Sequence, residues 1–209
     1  MCNLYASTKP QDHIRNLFQP AALDLLGNHQ PQPAIYPDQT APIVRHGADR
    51  HELVLARWGL PTPQSVLAAR GAHYDRGVTN VRNTGSPHWR RWLGVGYRCL
   101  VPLTSFAEPH GPGRGVAWFR LRDADAPAFF AGIHVPRWPS VRKVKDGQTT
   151  DDLYGFLTCP PNAEVAVVHP KAMPVILTEE SEWKAWLTAP WAEAKVLQRP
   201  LPDGALVVE

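Results

Sequence analysis

The alternation of apolar and polar positions along the chain predicts many short elements rather than a few long ones. Alternation, or enrichment in β-branched and aromatic residues, predicts strands over 42–46, 51–58, 97–103, 116–122, 128–135, 153–158 and 164–169. Helix starts carry clearer punctuation. Thr62-Pro63 and Ser86-Pro87 each set a hydroxyl N-cap before a proline at the first helical position. Thr178 precedes Glu179 and Glu180, a cap followed by acids that the helix dipole favours. Strands outnumber helices and rarely alternate with them in a βαβ rhythm. The expectation is an α+β fold: mainly antiparallel sheets forming a barrel-like core, with short peripheral helices. Nothing in the sequence suggests a linker, so residues 1–209 read as one domain. Two stretches look external. One is the Pro-rich wrap over 27–42; the other is 136–152, where apolar residues are few and turn formers many.

Composition changes this picture only in places. With 44% hydrophobic and 20% charged residues the chain is ordinary globular protein, which excludes disorder. Its 22 prolines favour the short elements already inferred. No apolar run approaches the roughly 18 residues that cross a bilayer, and MCNLYASTKPQDHIRNLF has no apolar signal core. A cytoplasmic protein without membrane partners is expected. Cys2, Cys99 and Cys159 form no CxxC pair, and their odd number argues against a disulfide framework. Cys99 and Cys159 lie in apolar contexts and read as small packing residues. Cysteines and histidines lack metal-ligand spacing, so no metal and no cofactor are expected.

Charge is more informative by position than in total. The net charge is only +3, yet 16 of the 22 basic residues are arginine, the residue suited to flat, bidentate contacts with phosphate. Arg70, Arg76, Arg82, Arg90, Arg91 and Arg98 face the single acid Asp75 across that window. Trp89, Trp92, Tyr74 and Tyr97 are interleaved with them, a mixture that tips the window toward a nucleic-acid groove. Trp89 and Trp92, three apart on a short helix, nevertheless read as core rather than base-stacking, and so do Trp183 and Trp186.

The candidate chemistry begins at Met1-Cys2. If Met1 is removed, Cys2 becomes a 1,2-aminothiol, with an amine of pKa about 7.7–8.0 beside a thiol of about 8.5. The amine condenses with an aldehyde to a Schiff base, and the thiol closes on the imine to a thiazolidine. Three further segments bear on this: Thr79-Asn80-Val81-Arg82-Asn83, the apolar run Arg98–Ala107 ending in Glu108, and Val168-His169-Pro170-Lys171-Ala172-Met173-Pro174. Taken alone, Glu108 beside Pro109 and the turn His110-Gly111-Pro112-Gly113 also reads as a solvated turn acid. His169 also reads as a strand-end histidine, and Asn80 as a turn former.

With the terminal cysteine, this order of segments resembles the SOS-response-associated peptidase family, also described as abasic-site processing proteins. The likeness runs from Cys2 through Arg57-Trp58-Gly59 to Leu197-Gln198-Arg199-Pro200. It implies that Cys2 crosslinks to the ring-opened aldehyde of an abasic site in single-stranded DNA, shielding the lesion in a largely single-turnover reaction. It implies that Asn80 hydrogen-bonds the opened sugar or orients the terminal residue. Glu108 would shuttle protons, and His169 would be the catalytic histidine. Arg82 would hold phosphate, with Arg90, Arg91 and Lys171 as further DNA contacts. The expected partner is single-stranded DNA containing abasic sites, met by a monomer that associates with the nucleoid when acting on DNA. Self-processing of the initiator methionine is a related implied activity.

The chain also departs from the commoner family pattern. Asn3-Leu4 stands where many members have Gly-Arg, Pro109 where a tryptophan follows the acid, and His169-Pro170-Lys171-Ala172-Met173-Pro174 has one extra residue. Two other classes fit parts of the sequence. One is an N-terminal-nucleophile amidohydrolase in which the Cys2 amine acts as base to its own thiol. The other is a non-catalytic module that binds single-stranded nucleic acid through the Arg/aromatic window alone.

Overall fold

The computed structural model describes residues 2–18, 20–111, 113 and 115–209. Met1, on whose removal the aminothiol depends, lies outside the described residues, as does Pro112 of the turn after Glu108. The first strands are β1 (Tyr5–Ser7), β2 (Leu23–Asp24), β3 (Gln32–Ile35), β4 (Thr40–His46) and β5 (His51–Trp58). There follow β6 (Asn80–Val81), β7 (Arg98–Pro102), β8 (Ser105–Pro109) and β9 (Val116–Leu121). The last are β10 (Phe129–Val141), β11 (Gln148–Cys159), β12 (Met173–Pro174), β13 (Ile176–Leu177) and β14 (Leu206–Val208).

Strands β11, β10, β7, β4 and β5 are neighbours in that order, each pair antiparallel. The ring then closes because β5 returns beside β11 in parallel, pairing Arg57 with Leu153 and Trp58 with Tyr154. Closure removes the sheet edges that would otherwise expose unpaired backbone groups. A second sheet runs β14-β9-β8-β1-β3. The α+β expectation with a barrel-like antiparallel core is what the chain forms.

The barrel interior is aromatic. Phe130 and Phe156 stack with centroids 4.2 Å apart, and Trp58 lies 5.3 Å from Phe156. Tyr5, although it belongs to β1 of the other sheet, packs edge-on to Trp58, Phe130 and Phe156 and is fully buried. Its hydroxyl lies 2.6 Å from that of Tyr154 in β11. The N-terminal strand is thus fastened to the barrel three residues after Cys2.

Several sequence expectations need correction. Residues 164–169 form a helix, Ala163–Val168, because the buried Asn162 side chain accepts from the Val165 amide at 3.2 Å and starts a helical turn. His169 therefore ends a helix, not a strand. Residues 136–152 are largely exposed, as expected, but their backbone is regular. They extend β10 and β11 as a hairpin whose pairing reaches Val141 and Gln148, folded back at Val144–Asp146. Its polar sequence suits an exposed ribbon, fastened to the body by Trp138 edge-on to Trp92 and by the buried Arg142, which donates to the Gly59 and Asp75 carbonyls. Pro87–Arg90 starts after Ser86 as predicted, although the Ser86 hydroxyl makes no capping hydrogen bond; the other two starts move by one residue. Thr62 donates from its hydroxyl and its amide to Asp75, leaving Pro63 as N-cap of Gln64–Ala69. Glu179 caps Glu180–Thr188, and Glu182 accepts from the Thr178 and Glu179 amides at 3.0 and 3.3 Å. Trp89, Trp92, Trp183 and Trp186 are core residues, as are Cys99 and Cys159.

Candidate active site at the N-terminal cysteine

Strand β11 organises the site. Its edge pairs in succession with β5 at Leu153–Tyr154, with β6 at Phe156–Leu157 and with β12 at Thr158–Cys159. This carries Asn80, the first residue of β6, and the segment leading from His169 into β12 to one end of the barrel. Glu108 arrives from the other sheet. It lies in β8 opposite Ala117, and β8 is the neighbour of β1, with the Ala107 amide donating to the Leu4 carbonyl at 2.9 Å.

Asn80, Glu108 and His169 converge on the chain's beginning. Cys2 is fully buried, and its Sγ donates to the Leu4 carbonyl at 3.5 Å. Asn80 Nδ2 donates to the Cys2 carbonyl oxygen at 2.8 Å, across 78 positions of sequence. Glu108 is fully buried rather than a solvated turn acid, because β9 and the N-terminal segment cover it. His169 Nδ1 lies 3.5 Å from Glu108 Oε2 and 2.8 Å from the Ala172 carbonyl. A carbonyl oxygen only accepts, so Nδ1 carries the hydrogen and the ring's tautomer and direction are set.

Burial sets the protonation states. It pushes the Cys2 thiol well above its ordinary range, and the charge of Glu108 adds to the effect. Burial also raises the Glu108 carboxyl, against the opposing pull of nearby positive charge that includes His169. The site thus holds a protonated thiol beside a carboxyl that retains its proton above the usual carboxylate range.

The expected DNA-contacting residues do not share one environment. Arg82 is exposed as a residue, yet its Nη1 donates to the Cys159 carbonyl at 3.1 Å and the Lys171 carbonyl at 2.9 Å. It therefore braces the loop that carries His169. Lys171 is exposed on that loop. Arg90 is exposed and lines an open depression of about 840 Å³ with Trp191 and Lys195. Arg91 lies over the Trp92 ring at 3.9 Å and near Trp138 at 5.9 Å. Arg98 is removed from the basic surface altogether: it is fully buried over Trp186 and donates to the Ala189 carbonyl.

Two contributors escaped sequence reasoning. Thr79 stands beside Asn80 and accepts from its Nδ2 at 2.7 Å. The Tyr5–Tyr154 hydroxyl pair anchors the strand that follows Cys2. A hydroxyl next to a predicted site residue was the available signal for Thr79; nothing local pointed to the tyrosines. Among the described residues no cluster of three or more His, Cys, Asp or Glu is arranged to hold a metal ion. No helix among them is long and apolar enough to cross a membrane.

The same fold occurs in solved structures of low sequence identity. A protein from Bacteroides thetaiotaomicron is 18% identical, with 99% of this chain and 90% of that chain covered at a TM-score of 0.75. A protein from Bordetella bronchiseptica is 24% identical, covering 99% and 98% at a TM-score of 0.69. A phage-related protein from the same organism is 22% identical, covering 100% and 93% at 0.69. No curated protein matches the chain. The sequence signature of one family spans residues 1–208, and by that match the chain belongs to the SOS response associated peptidase (SRAP) family, which gives it a DNA-damage-associated role.

Proposed function

We propose that the protein captures abasic sites in single-stranded DNA through Cys2, once Met1 has been removed. The observation that carries this reading is the convergence on Cys2 of Asn80, bonded to its carbonyl at 2.8 Å, with Glu108 and His169 within 3.5 Å of each other. Reaction begins when the deoxyribose opens to its aldehyde, a step that requires a proton at the ring oxygen. A carboxyl raised by burial above the usual carboxylate range, as Glu108 is, suits that delivery. The Cys2 amine then attacks the aldehyde carbon, and loss of one water gives the imine. Because burial keeps the thiol protonated, the amine leads and sulfur follows. Sγ bonds to the imine carbon as its proton passes to nitrogen. The product is a thiazolidine, with no change of oxidation state. His169, its Nδ1 held toward Glu108 and Ala172, would relay protons in these steps. Exposed Arg90, Arg91 and Lys171 would meet the phosphates.

The test is incubation of purified protein with abasic single-stranded DNA, followed by a denaturing gel. Intact mass should first show that Met1 is absent. A heat-stable adduct is expected from this protein, and none from Cys2→Ala or from protein with a blocked terminal amine. An undiminished adduct from either control refutes the proposal. So does its absence from protein that begins at Cys2.

A further inference from the structure

Asn80 is 7% exposed, and the hydrogen bonds of its amide are unevenly distributed. Nδ2 has two hydrogens. One goes to the Cys2 carbonyl at 2.8 Å and the other to Thr79 Oγ1 at 2.7 Å. The carbonyl can only accept, so the amide cannot be turned end for end without setting two oxygens against each other. Thr79 in turn donates its own hydroxyl hydrogen to Asn3 Oδ1 at 2.9 Å. The main chain at Thr79 is fixed from the barrel side, because its carbonyl accepts from the Trp58 indole at 3.2 Å and the Phe156 amide at 3.4 Å. A series of three side chains therefore runs Asn80 to Thr79 to Asn3, and returns to the terminal segment at the residue after Cys2. Asn80 Oδ1 is the end left over. It is buried and has no hydrogen-bond partner among the described residues. A buried amide oxygen without a donor carries a desolvation cost that a bound N–H or O–H would relieve.

We propose that Thr79 and Asn3 are positioning residues that lock the Asn80 amide, leaving its oxygen as the acceptor for a reacting N–H or O–H at Cys2. The inference rests on the activity proposed above for the identity of that group. On that chemistry the donor is the carbinolamine, which carries both an N–H and an O–H and forms before water leaves. Thr79 touches neither the DNA nor the reacting atoms in this scheme. Its effect belongs to the rate of adduct formation and not to reversible DNA binding.

Thr79→Val keeps the shape and removes the hydroxyl; Thr79→Ser keeps the hydroxyl. Three measurements are needed: single-turnover adduct formation at saturating protein, reversible affinity for the same strand carrying an unreactive tetrahydrofuran residue, and exchange of the Asn80 side-chain amide hydrogens by NMR. Thr79→Val should slow adduct formation on the order of tenfold, the worth of about one such hydrogen bond. Its affinity for the tetrahydrofuran strand should stay within about twofold. Thr79→Ser should restore the rate. Asn80 amide exchange should be slow in the parent protein and in Thr79→Ser, and faster in Thr79→Val. The proposal is overturned if Thr79→Val forms adduct at the parent rate, if Thr79→Ser is as slow as Thr79→Val, or if Asn80 exchange is equal in all three. A parent protein that forms no adduct but shows the expected exchange pattern refutes the activity and supports the locking of the Asn80 amide by Thr79.

Discussion

His134 gives the most quantitative prediction. It lies in β10 opposite Tyr154, is 4% exposed, and sits beside Tyr97 with ring centroids 6.5 Å apart. Burial, and secondarily the positive charge of Arg45, holds its imidazole down from 6.5 to about 4, with Asp152 pulling the other way. The folded protein therefore keeps this ring neutral in a pH range where the unfolded chain protonates it. Its contribution to stability is intact above pH 6.5 and is lost as the pH falls toward 4. At about 1.4 kcal/mol per pH unit, that interval corresponds to about 3 kcal/mol. His134→Gln removes the titration while keeping a polar group of similar size. Urea unfolding of both proteins should be followed between pH 7.5 and pH 4. Groups such as Glu108, whose raised carboxyl contributes with the opposite sign, are present in both proteins and cancel in the difference. The stability difference between the two should shift by about 3 kcal/mol toward the variant on acidification. A difference that stays constant within about 0.5 kcal/mol across the range would show that the ring is not buried as a neutral imidazole.

Tyr154→Phe leaves the buried Tyr5 hydroxyl without its 2.6 Å partner and should cost about 1–3 kcal/mol, whereas the double variant Tyr5→Phe/Tyr154→Phe should recover much of that loss in thermal unfolding. Arg98 is fully buried with Nε and Nη1 unpartnered among the described residues, so Arg98→Met should be neutral or stabilising by about 1 kcal/mol in denaturant titration. Glu108→Gln removes the proposed proton donor and should slow adduct formation about 100-fold or more in single-turnover assays, leaving affinity for an unreactive strand largely intact. Affinity for that strand should fall linearly in log–log terms with salt, and Arg90→Ala should lower the slope by somewhat less than one.

The amino-acid order determined by itself whatever depends on neighbours along the chain. Alternation located the core of β4, β5, β7, β9, β10 and β11, and Ser86-Pro87 marked a helix start, because side-chain period and proline geometry act within a few residues. Local rules failed where a local contact outweighed propensity, as when Asn162 turned the Val-rich 164–169 run into a helix. They failed again where the hairpin from 136 to 152 found its partner in itself. The proposed aminothiol chemistry could be read from the sequence because it needs only one residue next to the start. Which groups stand around it was decided by tertiary structure: β11 draws Asn80 and the His169 segment together, and β8 brings in Glu108 from the other sheet. Burial is likewise a property of the whole fold. No neighbour in sequence tells that burial raises the Glu108 carboxyl, that Arg98 leaves the surface, or that Thr79 holds the Asn80 amide, since each depends on atoms that only folding brings within reach.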